Sequence, residues 1–390
     1  MRVDAPGSTR LIYDLRVRAI AYQVIAVVSV VLVGYYLFSN VSQKLAEQNI
    51  ATGFAFLGRQ AGFVISQTFI DYQPSDTYAR ALLVGVVNTI WVSIWAVVLA
   101  TVIGLVVGIS RLSRNPLLAL LALIYVEALR NVPLLLYLFL WYALIVTSLP
   151  PVRDAWEIMP SVFVSNSGLT IPSITWTQAH TIILVALLCG VAFGVLVYSR
   201  VQAHRVRTGQ ERRSWPWVLL ACVTPPVIAI ILTQPEFAAS IPEKGRFRIM
   251  GGAQLKPEFT ALLVGLGLSA SAGIAEIVRS GILSVQKGQW EAARALGLRD
   301  GPSMRLIVLP QALRVIIPPL TSTYLSIFKN SSLAIAIGYP DLVMVSNTTM
   351  NQTGQAIEGI AIFMLVYLTL SIAISIFMNW YNSRVALKER

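Results

Sequence analysis

The sequence predicts an all-α integral membrane protein with eight transmembrane helices, and three observations carry that prediction. Apolar residues fill 56% of the 390 positions and charged residues only 12%, about half the ~25% of an ordinary soluble domain. The mean hydropathy is +0.70. The apolar residues gather into runs of roughly 20, the length that crosses a bilayer as a helix. Most of the 30 Lys and Arg fall in alternate connections between those runs, the distribution expected when positive loops stay on the inner side.

Taken in order, an N-terminal tail with Arg2, Arg10, Arg16 and Arg18 precedes a first span over 19–39. That run is too long, and lacks the small-residue cleavage site, to be a removable signal peptide. A polar connection with Asn49, Asp71, Pro74 and Asp76 follows on the opposite side. The second span covers 81–109, and its Gly104 and Gly108 stand at a spacing that lets another helix approach closely. Arg111 and Arg114 close it. The next stretch is interrupted by Glu127, Arg130, Asn131 and Pro133, so it divides into a short helix over 117–129 and a third span over 133–146.

An external loop over 150–178 leads to the fourth span, 179–198, and to the most basic connection in the chain, RVQAHRVRTGQERR. The fifth span covers 215–233, with Pro225 and Pro226 expected to kink it. A second external loop, 234–257, carries Lys244, Arg246, Arg248 and Lys256 against the general trend. The sixth span, 259–278, places Gly265, Ser269 and Gly273 at four-residue spacing, with Gly267 and Ser271 beside them, a small-residue face for close packing. The seventh, 313–337, holds Lys329 and Asn330 well inside. An external turn with Asp341 and Asn347 leads to the eighth, 357–380. Even parity puts both termini on the inner side.

Between the sixth and seventh spans the sequence GQWEAARALGLRDGPSMRLIVLPQ turns polar and turn-rich. Residues 289–298 predict a short helix with Trp290, Ala293 and Leu296 on one side, stopped by Gly297. A second short helix can start at Pro302, take Leu306, Ile307 and Leu309 as its apolar side, and end before Pro310. Two short helices and a tight turn make a knob suited to a groove on a soluble partner.

The same stretch resembles the EAA coupling loop of ATP-binding-cassette importer permeases, with Glu291, Ala292 and Ala293 as the tripeptide, Gly297 as its glycine, and Leu309 and Pro310 as the closing pair. More narrowly, SGILSVQKGQWEAARALGL, LPQALR and KNSSL are similar to permeases for polar and general L-amino-acid uptake. The resemblance implies that the loop, with Gln289 included, enters a cleft of a separate ATPase subunit, likewise dimeric, which holds ATP and Mg. It implies a five-helix permease core in the second, third, sixth, seventh and eighth spans, here extended by an N-terminal helix and an inserted helix pair. The segments are then 1–80, the extension; 81–149, the first part of the core; 150–257, the inserted pair; and 258–390, the second part, with a cytoplasmic coupling loop at 281–311. A second homologous permease, a periplasmic amino-acid-binding protein and a place in the cell inner membrane are implied with it. The stretch YVEALRNVPLLLYLF also resembles a segment of that family, but Asn131 and Val132 replace its usual Gly-Thr. Glu127 and Arg130 read equally as an i,i+3 ion pair at the membrane edge.

No chemistry of catalysis is legible. There is no phosphate-cradling G-x-x-x-x-G-K-[ST], no metal-like spacing around Cys189 and Cys222, and no metal or catalytic-triad residue close in sequence to His180 or His204. The two cysteines read as small core residues. The net charge of +12 records loop orientation rather than nucleic-acid binding. Polar residues within spans mark the candidate substrate pathway: Asn88 and Thr89 in the second, Lys329, Asn330 and Ser331 in the seventh. Lys329 either faces a substrate carboxylate or pairs structurally. Glu276 and Arg279 stand at the inner end of the sixth span. A self-sufficient secondary transporter or channel would leave the long coupling-type loop unexplained, and a membrane enzyme would need a constellation that is absent.

Overall fold

Long apolar runs with no water to satisfy their backbone must form helices, and helices dominate the computed structural model, which describes residues 15–47, 52–174, 177–208, 214–235, 239–245 and 248–385. The tail residues Arg2 and Arg10, Asn49, Arg246, the end of the basic connection and Lys388 to Arg390 lie outside the described residues. Among those described, seven helical stretches are long and apolar enough to cross a membrane: Val17–Val41 within Leu15–Glu47 (α1), Tyr78–Ser110 (α2), Gln178–His204 within Gln178–Thr208 (α5), Trp215–Thr233 (α6), Pro257–Leu283 (α7), Asp300–Ile337, which contains Leu309–Asn330 (α10), and Ala356–Ser383 within Ala356–Val385 (α12). An eighth span is counted only if Pro116–Arg130 (α3) and Leu134–Ser148 (α4), bent by 102° at their junction, act as one. At 1.5 Å per residue each is about 22 Å long, short of the ~30 Å hydrocarbon core. The expected break at Pro133 is therefore present, and Tyr137 bridges it by donating to the Ala128 carbonyl at 3.0 Å.

The chain divides into two compact units, one of residues 1–120 with 273–390 and one of residues 121–272. In the first, α2 is the central element. The polar connection ahead of it is packed rather than loose: Phe56, Ala61 and Ile65 are buried with Tyr78, Ala81, Val84, Leu342 and Val345. Polar tethers hold it there. Gly53 donates to Glu358 Oε1 at 2.5 Å and accepts from Gln355 Nε2 at 3.1 Å, while Tyr78 Oη donates to Gln352 at 2.9 Å. Thr77 caps α2 by accepting from the Arg80 amide.

The expected external turn around Asp341 and Asn347 is instead a helix, Leu342–Thr353 (α11), and Asp341 is its fully buried N-cap, accepting from the Met344 amide at 2.8 Å. The sequence Pro-Asp-Leu-Val carried that capping signal, since an aspartate side chain satisfies an orphan amide of a first helical turn. Helix α10 likewise does not run to residue 337 as one α-helix. It tightens after Asn330 into a 3₁₀ segment, Ser331–Ile337.

In the second unit the two connections expected as loops contain short antiparallel strands. Trp156–Met159 (β1), Val162–Ser165 (β2), Gly168–Ile171 (β3) and Ala253–Leu255 (β8) form one sheet in that order. Ser173–Ile174 (β4) pairs with Ala239–Ser240 (β5), and Glu243–Lys244 (β6) with Ile249–Met250 (β7). Strands of two to four residues are too short for an alternating pattern to stand out. Helices α5 and α6 pack chiefly on each other: a Cβ at Gly194 would lie 2.5 Å from Cys222 Sγ. Cys189, however, is exposed, so only Cys222 approaches the expected packing role. Helix α5 also continues through the basic connection as far as Thr208, and α6 runs unbroken past Pro225 and Pro226. The small-residue face of α7 receives Leu138 of α4 at Gly265, and Ser271 shares a 2.7 Å hydrogen bond with Tyr125.

Candidate coupling knob and polar pathway

The knob is built from three pieces in the unit that contains α2. The helix Lys287–Ala295 (α8) turns Ala293 and Trp290 inward, where Trp290 packs on the Val285, Val308, Ala312 and Ile316 cluster. Its end is a Schellman motif: the Leu298 amide donates to Ala293 O at 3.1 Å and the Gly297 amide to Arg294 O at 2.9 Å. Gly297 adopts φ +73°, the left-handed conformation that glycine enters without a Cβ penalty. The stop expected from sequence is thus realised at that residue.

The second half departs from expectation. It begins at Asp300 rather than Pro302, as Asp300–Ser303 (α9), widens into a π turn over Met304–Val308, and passes directly into α10. Pro310 does not end a helix; it sits in the first turn of α10, a position that tolerates a missing amide donor. The Leu309 amide reaches back to Met304 O, and this wide bond shifts the ladder just before the proline. The inward residues are consequently Val308 and Met304, while Leu306 and Leu309 are exposed.

Glu291 and Ala292 are exposed on α8, and Leu296, Leu306 and Leu309 are exposed as well. Gln289 is exposed as well and accepts from Gln311 Nε2 at 3.3 Å. Asp300 lies 3.4 Å from Arg114 and 3.8 Å from Arg294, both exposed ion pairs of small energetic weight.

The candidate pathway residues separate into two groups. Asn88 is fully buried; its Nδ2 donates to Gln67 O and Pro340 O, each at 2.8 Å, and its backbone oxygen accepts from Tyr339 Oη. Thr89 is buried too and accepts from the Leu342 amide at 3.1 Å. Ser331 is buried and bonded to Phe328 O. These three brace the 339–342 segment and the end of α10. Lys329 and Asn330 are exposed, and Lys329 borders a 270 Å³ cavity with Ser332, Val343, Phe363 and Tyr367.

Behind that cavity stands a group the sequence did not single out for this site. Tyr367 Oη donates to the Asp341 carboxylate at 3.3 Å, and burial pushes the Asp341 carboxyl up to about 7 against the opposing pull of its hydrogen bonds.

Residues 213–387 match the family described as a binding-protein-dependent transport system inner membrane component. The whole chain is similar to a putative amino-acid ABC transporter permease protein of Escherichia coli, at 46% identity over 96% of this chain and 95% of that one. A general L-amino acid transport system permease protein of Rhizobium johnstonii is 42% identical over 97% of this chain and 94% of its own length. A glutamate/glutamine/aspartate/asparagine transport system permease protein of Rhodobacter capsulatus is 38% identical over 97% and 96%. With knob, spans and near full-length identity together, the chain belongs to the amino-acid permeases of ABC transporters.

Proposed function

We propose that this chain is the transmembrane subunit of an ATP-driven importer of polar L-amino acids in the inner membrane, with both termini cytoplasmic. A separate dimeric ATPase, which binds and hydrolyses ATP with Mg, docks on the 287–309 knob. A second homologous permease completes the pathway, and a periplasmic amino-acid-binding protein delivers substrate. The segments 81–149 and 258–390 form the permease core, and 1–80 and 150–257 are additions to it. The observation that carries this reading is the knob. It leaves Glu291, Leu296, Leu306 and Leu309 all exposed on one short helical hairpin, and exposed apolar residues that share an element with charge are what a groove on a soluble partner covers. The relative named for glutamate, glutamine, aspartate and asparagine supports a polar amino acid as substrate.

Purification of the chain from native membrane under mild detergent tests this directly. An ATPase and a second permease are expected to travel with it in stoichiometric amounts. A chain that purifies alone yet transports amino acids in proteoliposomes without ATP would sink the proposal.

Lys329 is the pathway residue best placed to meet a substrate carboxylate, because its amine borders the cavity while Asn88, Thr89 and Ser331 are engaged elsewhere. Lys329→Met keeps the chain length of the side chain and removes its charge. Uptake is expected to fall about tenfold, as loss of one charge-assisted contact implies, with the amount of protein in the membrane unchanged. Normal uptake would make Lys329 a structural residue.

A further inference from the structure

Where α2 ends, three charged side chains meet. Arg111, its C-cap residue, donates through Nη1 to Glu276 Oε2 on α7, and Arg279 one turn later donates through Nη2 to Glu276 Oε1 at 2.6 Å and through Nε at 3.2 Å. The side chains of Arg111, Glu276 and Arg279 are only 13%, 26% and 30% exposed. One carboxylate thus sits between two guanidiniums in a partly desolvated place, where it screens their mutual repulsion and is held by both. The two helices touch backbone to side chain at the same level: a Cβ on Gly108 would lie 2.7 Å from Ala275 O and 3.0 Å from Val278 Cβ. The junction is therefore both close and charged.

Its position along the chain gives it a direction of action. Helix α7 ends at Leu283, and α8 of the knob begins at Lys287, so a displacement of the knob pulls on α7 almost immediately. Glu276 is the residue by which α7 grips the end of α2. A second, weaker contact runs in parallel, from Asp300 of the knob to Arg114 just beyond α2. Helix α2 in turn carries Asn88 and Thr89, which hold the 339–342 segment.

We propose that Glu276 is the positioning residue through which the knob acts on α2, its bonds to Arg111 and Arg279 forming the clamp that transmits ATPase-driven motion to the pathway. This rests on the functional reading above. Exposed Asp300 and Arg114 extend the clamp without being able to replace it, because water screens them.

Two measurements separate this inference from that reading. In the complete transporter reconstituted with its ATPase and binding protein, uptake of the best-transported of L-glutamate, L-glutamine, L-aspartate and L-asparagine is measured together with ATP hydrolysis. Glu276→Gln is expected to lower molecules carried per ATP by roughly fivefold or more, the scale of a coupling between sites. Glu276→Asp, which keeps the carboxylate, is expected to recover most of that ratio. Uptake and hydrolysis falling in proportion would mark Glu276 as merely structural and overturn the clamp. In the purified chain alone, with Cys189 and Cys222 replaced by serine, spin labels at Ser113→Cys and Ser280→Cys report the distance between the two helix ends. That distribution is expected to broaden in Glu276→Gln and narrow again in Glu276→Asp; an unchanged distribution also overturns the clamp. A wild-type complex without ATP-driven uptake would instead refute the functional reading, and the spin-label distances would still decide the clamp.

Discussion

Glu291→Lys is expected to reduce ATP-dependent uptake about tenfold or more while leaving the chain inserted at its normal level. The side chain is exposed on α8, on the opposite side from the fully buried Ala293, so nothing within the chain depends on its charge. If the proposed docking holds, reversal of this charge removes a favourable contact and creates a repulsive or unpaired one. Roughly 2 kcal/mol, the threshold of an interface hot spot, is enough for a factor above ten. Gly297→Val should act on the same interface by a different route. A Cβ there meets no atom within 4 Å, so the damage is not steric packing but the cost of φ +73° for a β-branched residue. Forcing a side chain into the left-handed region costs ~1–2 kcal/mol, and the Schellman bonds from Gly297 and Leu298 would loosen. Binding of the ATPase to the variant chain, measured by pull-down, should weaken with uptake. If both variants transport at the wild-type rate at equal abundance, the knob is not the coupling element.

The same knob shows what the sequence could and could not supply. Its first helix is legible because Trp290 and Ala293 keep a helical spacing and Gly297 marks a stop that needs positive φ, but Leu296, expected on the same side, caps the helix and is exposed. Its second half was misread because Pro310 is a helix breaker in an interior but not in a first turn, and a π turn leaves no composition signal. A 3.6-residue periodicity turns Leu306 and Leu309 inward, whereas the widened turn brings Val308 in instead. Long spans are legible because a bilayer demands apolar length, but their ends are not: the helix expected over 179–198 continues to Thr208, and that expected over 19–39 to Glu47.

Residues whose role depends on a distant partner were harder. Asn88 and Thr89 look like pathway polarity in sequence, yet they bond to Pro340 and Leu342, some 250 positions away. Asp341 looked like an external turn residue, and only the packing of α11 on α2 makes it buried. Two of the strand pairings between α4 and α7 join distant segments, Leu169 with Leu255 and Ser173 with Ser240. Local propensity carries little information about such pairs.

A close backbone approach to α2 at Gly85 makes the last expected result a large one. A Cβ added at Gly85 would lie 2.9 Å from Leu342 Cα and 3.2 Å from Asp341 O. Both neighbours are backbone atoms, so no side-chain rotation can make room. The segment of chain they belong to is also where Asn88 bonds Pro340 and Thr89 bonds Leu342, about one turn along α2. Displacing it would stretch those buried hydrogen bonds, each a net contribution of about 1 kcal/mol, in addition to about 1–3 kcal/mol for overpacking. Gly85→Ala is therefore expected to lower the thermal midpoint of the detergent-purified chain, and Gly85→Leu to lower it further or to prevent accumulation in the membrane. Gly273→Ala is the matched control: it is also a helical glycine, but a Cβ there meets nothing within 4 Å. Alanine at that position should be neutral or slightly stabilising, because it restricts the unfolded chain without a clash. Equal midpoints for Gly85→Ala and Gly273→Ala would mean that α2 and α11 are not in backbone contact, and the placement of Asn88 and Thr89 as braces would fall with it.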